Sequence, residues 1–207
     1  MIRHVLAVAA ISALGSACGG ASPGPSATVT GTIRGQSFTP KDAQSTTGTV
    51  VVGENTIQAA SIVISDSAGL CANASAGKEP RSSHYLVIVL SKVTPELTTA
   101  VATSPGDYFI FNGVGNPPSA TFGVIFAQAT DTACKDVPAN DAIAVSGTVH
   151  VSSVSNGAYA GFYDAQLAPI ESAAGGGATE HVKGTFNTAF CAGLAPAVSL
   201  TRSFTCF

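Results

Sequence analysis

The sequence predicts an all-β protein, an antiparallel β-sandwich of roughly 9–10 strands with a flattened barrel as the alternative. Three observations carry this expectation. Short runs rich in Val, Ile, Thr and Tyr alternate apolar and polar residues with a period of two. Turn-forming Gly, Pro, Asn and Asp separate these runs. Almost no window carries a helical 3.6-residue period.

The last third shows the pattern best. In residues 143–155, Ile143, Val145, Gly147, Val149 and Val151 share one parity, and Ser146, Thr148, His150 and Ser152 the other. That alternation describes a half-buried strand. Asn156 and Gly157 follow, a pair that accepts the positive φ angles of a type I′ hairpin turn. The next strand sets Tyr159, Gly161, Tyr163, Ala165 and Leu167 on one face. A third sets Val182, Gly184, Phe186 and Phe190 against His181, Lys183, Thr185 and Asn187.

Earlier in the chain, residues 27–34 alternate and open the domain. Residues 35–40 break that strand and present Phe38 inward. Residues 41–45 are polar. Residues 49–52 and 56–65 form two strands or one bent hairpin. Residues 66–83 make a long loop around Cys71, with a helical turn near Leu70. Residues 83–92 are the most apolar run and are expected at the centre. Residues 108–111 and 120–130 are further strands, and residues 131–141 form a polar loop holding Cys134. The words Gly161-Phe162-Tyr163-Asp164 and Gly184-Thr185-Phe186-Asn187 suggest equivalent bends in neighbouring strands, because glycine within a strand marks a bulge or a close backbone approach.

Charged residues make up 10% of the 207-residue chain, against about 25% in average globular proteins. The net charge of −3 comes without a Lys/Arg cluster, which argues against a nucleic-acid partner. A chain of this length can bury roughly 70% of its unfolded surface in one core.

Residues 1–17 read as a secretory signal peptide. Arg3 and His4 precede an apolar run from Val5 to Leu14, then Gly15, Ser16 and Ala17 stand before Cys18. The run is shorter than the roughly 20 residues that span a bilayer. Small residues directly before Cys18 suggest a lipobox, with Cys18 as the lipidated N-terminus of the mature protein. Leu14 stands one position further from Cys18 than the usual lipobox leucine; an ordinary signal site with a structural Cys18 is the alternative. Residues 18–27, rich in Gly, Pro and Ser, form a flexible tether, and residues 28–207 a single domain. The expected address is a bacterial cell envelope, periplasmic or surface-facing, with the membrane reached through the lipid.

Setting Cys18 aside leaves Cys71, Cys134, Cys191 and Cys206. In an exported chain four cysteines suggest two disulfides, with three ways to pair. If the chain turns back after Cys191 and pairs as a final strand, Cys191 and Cys206 lie too far apart to bond. Counting antiparallel reversals then sets Cys71 with Cys191 at one end and Cys134 with Cys206 at the other.

In order along the chain, several words resemble a group of small predicted lipoproteins of unknown function, frequent in myxobacteria. They are Gly31-Thr32-Ile33-Arg34-Gly35 with Phe38 and Asp42-Ala43; Ser65-Asp66 before Cys71; Pro105-Gly106-Asp107-Tyr108; Asp131 before Cys134; Ser146-Gly147-Thr148-Val149; and Gly184-Thr185-Phe186 before Cys191. The resemblance covers most of the mature chain. It implies fold and address, and no activity.

The residues offer little chemistry. His84, His150 and His181 remain after signal removal, without a His-x-His or His-Glu-x-x-His spacing. No Met remains after export to complete a cupredoxin-type copper site, and no Cys-x-x-Cys occurs. No metal or other cofactor is expected. Asp131, Asp136 and Asp141 share a polar loop, but their five-residue spacing matches no calcium motif. Ser75 and Lys78 match Ser-x-x-Lys without the companion motifs of that mechanism. Asp42, Asp66, Asp107 and Asp164 fall at turns and strand edges, where Asp bonds the backbone. Tyr159 and Tyr163 share a strand face and form the candidate ligand face, with Tyr85 and Tyr108 as further aromatics. The sequence therefore favours a non-catalytic structural or binding role toward an envelope protein or polysaccharide. A carbohydrate-binding module or a small secreted hydrolase are the alternatives.

Overall fold

The computed structural model describes residues 24–52, 55–94, 98–112, 115, 120–173, 177–194 and 205–207. The expected signal peptide, Cys18 and most of the tether lie outside the described residues, as does most of any strand between Cys191 and Cys206.

The chain is all-β. Its strands are β1 (Ser26–Ala27), β2 (Thr32–Ile33), β3 (Gln36–Ser37), β4 (Asp42–Val52), β5 (Asn55–Ser65), β6 (Lys78–Glu79), β7 (His84–Val93) and β8 (Thr99–Val101). They continue with β9 (Gly106–Ile110), β10 (Thr121–Ala129), β11 (Ala142–Ser155), β12 (Ala158–Pro169), β13 (Glu180–Asn187), β14 (Ala189–Phe190) and β15 (Thr205–Cys206). One short helix, α1 (Leu70–Ser75), follows β5.

Most strands join one sheet in the order β1-β13-β12-β11-β9-β10-β7-β5-β4-β14, with β8 beside β7. The expected stack of two antiparallel sheets gives way to one curled, mixed sheet. Most neighbours are antiparallel, but β9 runs parallel to β10 and β14 parallel to β4. The curl has a direct cause. Residues 180–190 are nearly continuous strand; β13 pairs with β12, and one residue later β14 pairs with β4. The two rims of the sheet are thus bridged by a single stretch of chain, a barrel-like arrangement that fits the flattened-barrel alternative.

Thr188 sits at this seam, buried, between β13 and β14. Its hydroxyl accepts from the Tyr159 backbone N–H at 2.8 Å and bonds the Ser45 hydroxyl at 2.9 Å. The Ser45 hydroxyl donates to the Gly157 carbonyl at 2.7 Å. A buried polar network with its members paired in this way fixes one register at the join.

The side chains inside the curl form the main core, including Ile62, Ile88, Ile125, Val149, Tyr163 and Val182. A second core lies on the outer face of β5, β7 and β10, where Val63, Val87, Val89, Phe122 and Val124 pack with Leu70 of α1 and Leu194. Burial on both faces explains why β7 reads as an unbroken apolar run and why its position is central. Phe38 is 7% exposed and closes one end of the main core beneath the β2–β3 hairpin.

The β11 parity differs from the expected one. The register shifts between Ala144 and Ser146, so Ala142 and Ala144 turn inward while Ile143 packs on the second core. A β-bulge of this kind adds one residue and flips every side chain beyond it. Gly147 follows with φ +133°, and a Cβ there would stand 2.2 Å from the Asp164 carbonyl oxygen.

The two Gly-x-x-x words do occupy neighbouring strands, with Gly161 opposite Phe186 and Gly184 opposite Tyr163. A Cβ on Gly161 would meet the His150 carbonyl oxygen at 2.0 Å, and one on Gly184 the Thr28 carbonyl oxygen at 1.8 Å. These are close backbone approaches. Gly184→Val is expected to destabilise by at least about 2–3 kcal/mol, since the obstacle is backbone rather than a mobile side chain. A urea melt of the variant checks this, and an unchanged midpoint would contradict the approach of residue 28 to β13.

Candidate functional site

Each of the three described histidines is bonded to an aspartate. His84 Nδ1 lies 2.7 Å from Asp66 Oδ2, His150 Nδ1 2.7 Å from Asp107 Oδ1, and His181 Nε2 2.8 Å from Asp164 Oδ1. Register creates the second pair directly, because His150 on β11 stands opposite Asp107 on β9.

His84 has both ring nitrogens engaged, with Gln36 Oε1 3.0 Å from Nε2. Asp66 also accepts from the His84 backbone N–H at 2.9 Å. This chain ties the β2–β3 hairpin to the start of β7. A hydrolytic triad would need a serine hydroxyl where Gln36 sits.

The other two pairs lie on the outer wall formed by β9, β11, β12 and β13. Here Phe109 is 64% exposed and Phe162 51%. Phe162 stands opposite His150, and their rings stack with centroids 4.8 Å apart and planes at 22°. That separation equals the spacing between neighbouring strands, so the rings stand side by side as a cross-strand pair. Asp107 occupies Nδ1 of His150, which leaves Nε2 for another partner. Thr148, Asp164, Lys183 and Thr185 fill the rest of the wall by register. The wall combines ring faces, hydroxyls, imidazoles and carboxylates on a sheet surface. It can stack against and hydrogen-bond an extended ligand.

Tyr159 and Tyr163 do not contribute to such a surface. They are 2% and 1% exposed and belong to the main core. Strand alternation shows which residues share a face; it does not show which face is enclosed. The curl encloses theirs and exposes the parity of Phe162 and Asp164. Tyr108 is buried as well, and its hydroxyl donates to the Ser104 carbonyl at 2.8 Å. Tyr159 donates to the Ala102 carbonyl and Tyr163 to the Thr28 carbonyl.

Burial raises the pKa of all four tyrosines above the usual value, to about 12 for Tyr159. The folded state then keeps phenolic protons that the unfolded chain sheds near pH 10, so their contribution to stability is intact below pH 10 and falls as pH rises above it. Tyrosinate absorbance is therefore expected to appear in one cooperative step with unfolding. A gradual rise beginning near pH 10 in the folded protein would contradict the burial of these rings.

The remaining candidates are separate from one another. The four domain cysteines form Cys71–Cys191 and Cys134–Cys206. Asp131 closes its own loop by accepting from the Ala133 and Lys135 backbone N–H groups, and these bonds, Lys135 first, hold its pKa low. Asp141 is pushed the other way, by burial and then by Asp136 and Glu171. Among the described residues, no group of three His, Cys, Asp or Glu side chains stands close enough to hold a metal ion. Ser75 ends α1 rather than starting a helix and lies against Gly193. Lys78 lies on β6, beside a cleft of about 100 Å³ also lined by Leu70, Glu79, Tyr85 and Leu194. Burial, then Asp136, raises the Glu79 pKa there. No helix among the described residues is long and apolar enough to cross a membrane.

No protein-family model, curated protein or solved structure matches this chain.

Proposed function

We propose that this chain is an exported, lipid-anchored domain of a bacterial cell envelope, akin to the small myxobacterial lipoproteins it resembles, with a binding or structural role rather than a catalytic one. The observation that supports this reading most is the use of its cysteines. All four in the domain are bonded to one another, as suits an oxidising compartment. Cys18 is the fifth cysteine of the sequence, and it directly follows the small residues of an apolar run. A thioether-linked diacylglycerol gives this fifth cysteine a role.

Fractionation of cells that express the full chain tests the reading. The wild-type protein is expected in the membrane fraction, its first peptide carrying the mass of diacylglycerol on Cys18. Cys18→Ser is expected in the soluble fraction or retained with its leader uncleaved. Identical partitioning of both forms, without added lipid mass, would remove the anchor.

A polysaccharide is the second reading of the partner. The stacked Phe162 and His150 beside exposed Phe109 favour it, since ring faces and flanking hydrogen-bond groups suit sugar rings. Sedimentation with insoluble envelope polysaccharide, lost in Phe162→Ala, would support it; equal sedimentation of both forms would count against this wall.

A further inference from the structure

The β4–β5 hairpin reaches further than the strands beside it. The Ser45 hydroxyl bonds the Gly157 carbonyl, so the β11–β12 turn ends at the level of Ser45. β14 pairs with β4 at Gln44 and Ser45. On the other side of the hairpin, β7 pairs with β5 from Ala60 to Ser65. Residues 47–52 of β4 extend past all of these, paired with β5 alone among the described residues.

The outer edge of that extension is open. The Ser45 carbonyl accepts from the Cys191 backbone N–H at 2.7 Å, so Ser45 turns its backbone groups away from β5. Alternation turns those of Thr47, Thr49 and Val51 the same way. Among the described residues, no backbone group pairs with these three on that side. The opposite rim differs. There β13 is covered by β1 and by the bonds that Thr28 and Thr30 make with Thr185 and Lys183.

The usual protections of an edge strand are missing here. Folded proteins guard such strands with Lys, Pro, a bulge or an inward charge. Residues 43–53 include no charged residue and no Pro. The β4–β5 register runs from Asp42 to Val52 without a shift. Thr47, Thr49 and Val51 are exposed, Val51 at 48%.

We infer that this edge is the contact between two copies of the chain, paired antiparallel about a two-fold axis at Thr49. That register uses every open group. Thr49 faces Thr49 of the second copy, and Thr47 faces Val51 of the second copy. Each is a hydrogen-bonded pair, so the three donors and three acceptors of each edge are all satisfied. Thr beside Thr and Thr beside Val are favourable cross-strand neighbours. Asp42, the charged residue of β4, falls opposite residue 56 rather than opposite a like charge. The edge is therefore complementary to itself, and a second copy supplies all that it lacks.

Full chains carrying Thr49→Cys or Gln58→Cys test the register. In the pair, the two residues 49 lie about 5.5 Å apart between Cα atoms, within disulfide reach. Gln58 stands opposite Thr49 on β5, one strand further back, which sets the two residues 58 about 14 Å apart. Cells expressing the chains are oxidised gently, and the chains are separated without reductant. Thr49→Cys is expected to give at least about fivefold more covalent dimer than Gln58→Cys or wild type. Peptide mass spectrometry should show residue 49 bonded to residue 49. Adding Val51→Pro removes an outward N–H and leaves the β4–β5 ladder intact. It should return the dimer to the wild-type level while circular dichroism stays unchanged. Monomeric Thr49→Cys, equal bonding by Gln58→Cys, or a dimer indifferent to Val51→Pro overturns the pairing. So does a bond from residue 49 to a different protein, which would make the edge a site for a foreign strand. The pairing stands apart from the anchor at Cys18, and the wild-type chain, which keeps that cysteine, reads any bonding through it.

Discussion

Tyr159→Ala is expected to lower the free energy of unfolding by about 3–5 kcal/mol, in the range of large-to-small changes at buried aromatics. Tyr159→Phe should cost about 1–2 kcal/mol. The ring is 2% exposed and fills the main core near the seam. Its hydroxyl donates to the Ala102 carbonyl, in the connection between β8 and β9, and its backbone N–H donates to Thr188. Alanine would leave a cavity lined by atoms that meet nothing. Phenylalanine would keep the packing and leave only the Ala102 carbonyl without its donor. Urea unfolding of both variants measures the two contributions. Equal losses would mean that the hydroxyl, not the ring, dominates; no loss in either would remove Tyr159 from the core.

The second large effect is expected from Cys71→Ser/Cys191→Ser. This bridge closes a loop of 120 residues and the other one of 72. Chain entropy gives about 5 kcal/mol for the longer and slightly less for the shorter, and measured losses of such bridges fall at about 2–5 kcal/mol. Entropy alone barely separates them, but location does. Cys191 is 1% exposed, and its backbone N–H donates to the Ser45 carbonyl beside the seam. Cys134 and Cys206 instead fasten the short β15–β6 pair at the surface. The Cys71/Cys191 variant should therefore melt at a lower urea concentration than Cys134→Ser/Cys206→Ser. The reverse order would mean that the seam holds without its bridge.

Local signals account for the parts of this fold that the sequence makes plain. Asn156 and Gly157 have φ values of 51° and 80°, the positive angles expected of their turn, so the β11–β12 hairpin is readable from two residues. Phe38 lies inward, as a single large apolar side chain among the small and polar residues 35–40 suggests. Long-range pairing accounts for the rest. Nothing near Gly106 announces that β9 inserts beside β10 in parallel. The bulge after Ala144 has no marker stronger than Gly147 three residues on. The outer wall was half visible, since the alternation that groups Tyr159 with Tyr163 also groups Phe162 with Asp164. Choosing which group faces water required the curl of the whole sheet. The His150–Asp107 pair joins residues 43 apart in sequence and is visible only in the register.

The bridging stretch at residues 180–190 also governs when folding can finish. Its partners β12 and β4 lie far apart in sequence, and β1 pairs with β13 across about 160 residues. A chain emerging N-terminus first, from a ribosome or through a membrane pore, can form the β4–β5 and β11–β12 hairpins early. It cannot join its rims until about nine-tenths of its length is free. Until then the apolar faces of β5, β7 and β10 and the open edge of β4 remain available to other chains. Such a protein depends on being shielded until β13 and β14 have docked and joined the rims.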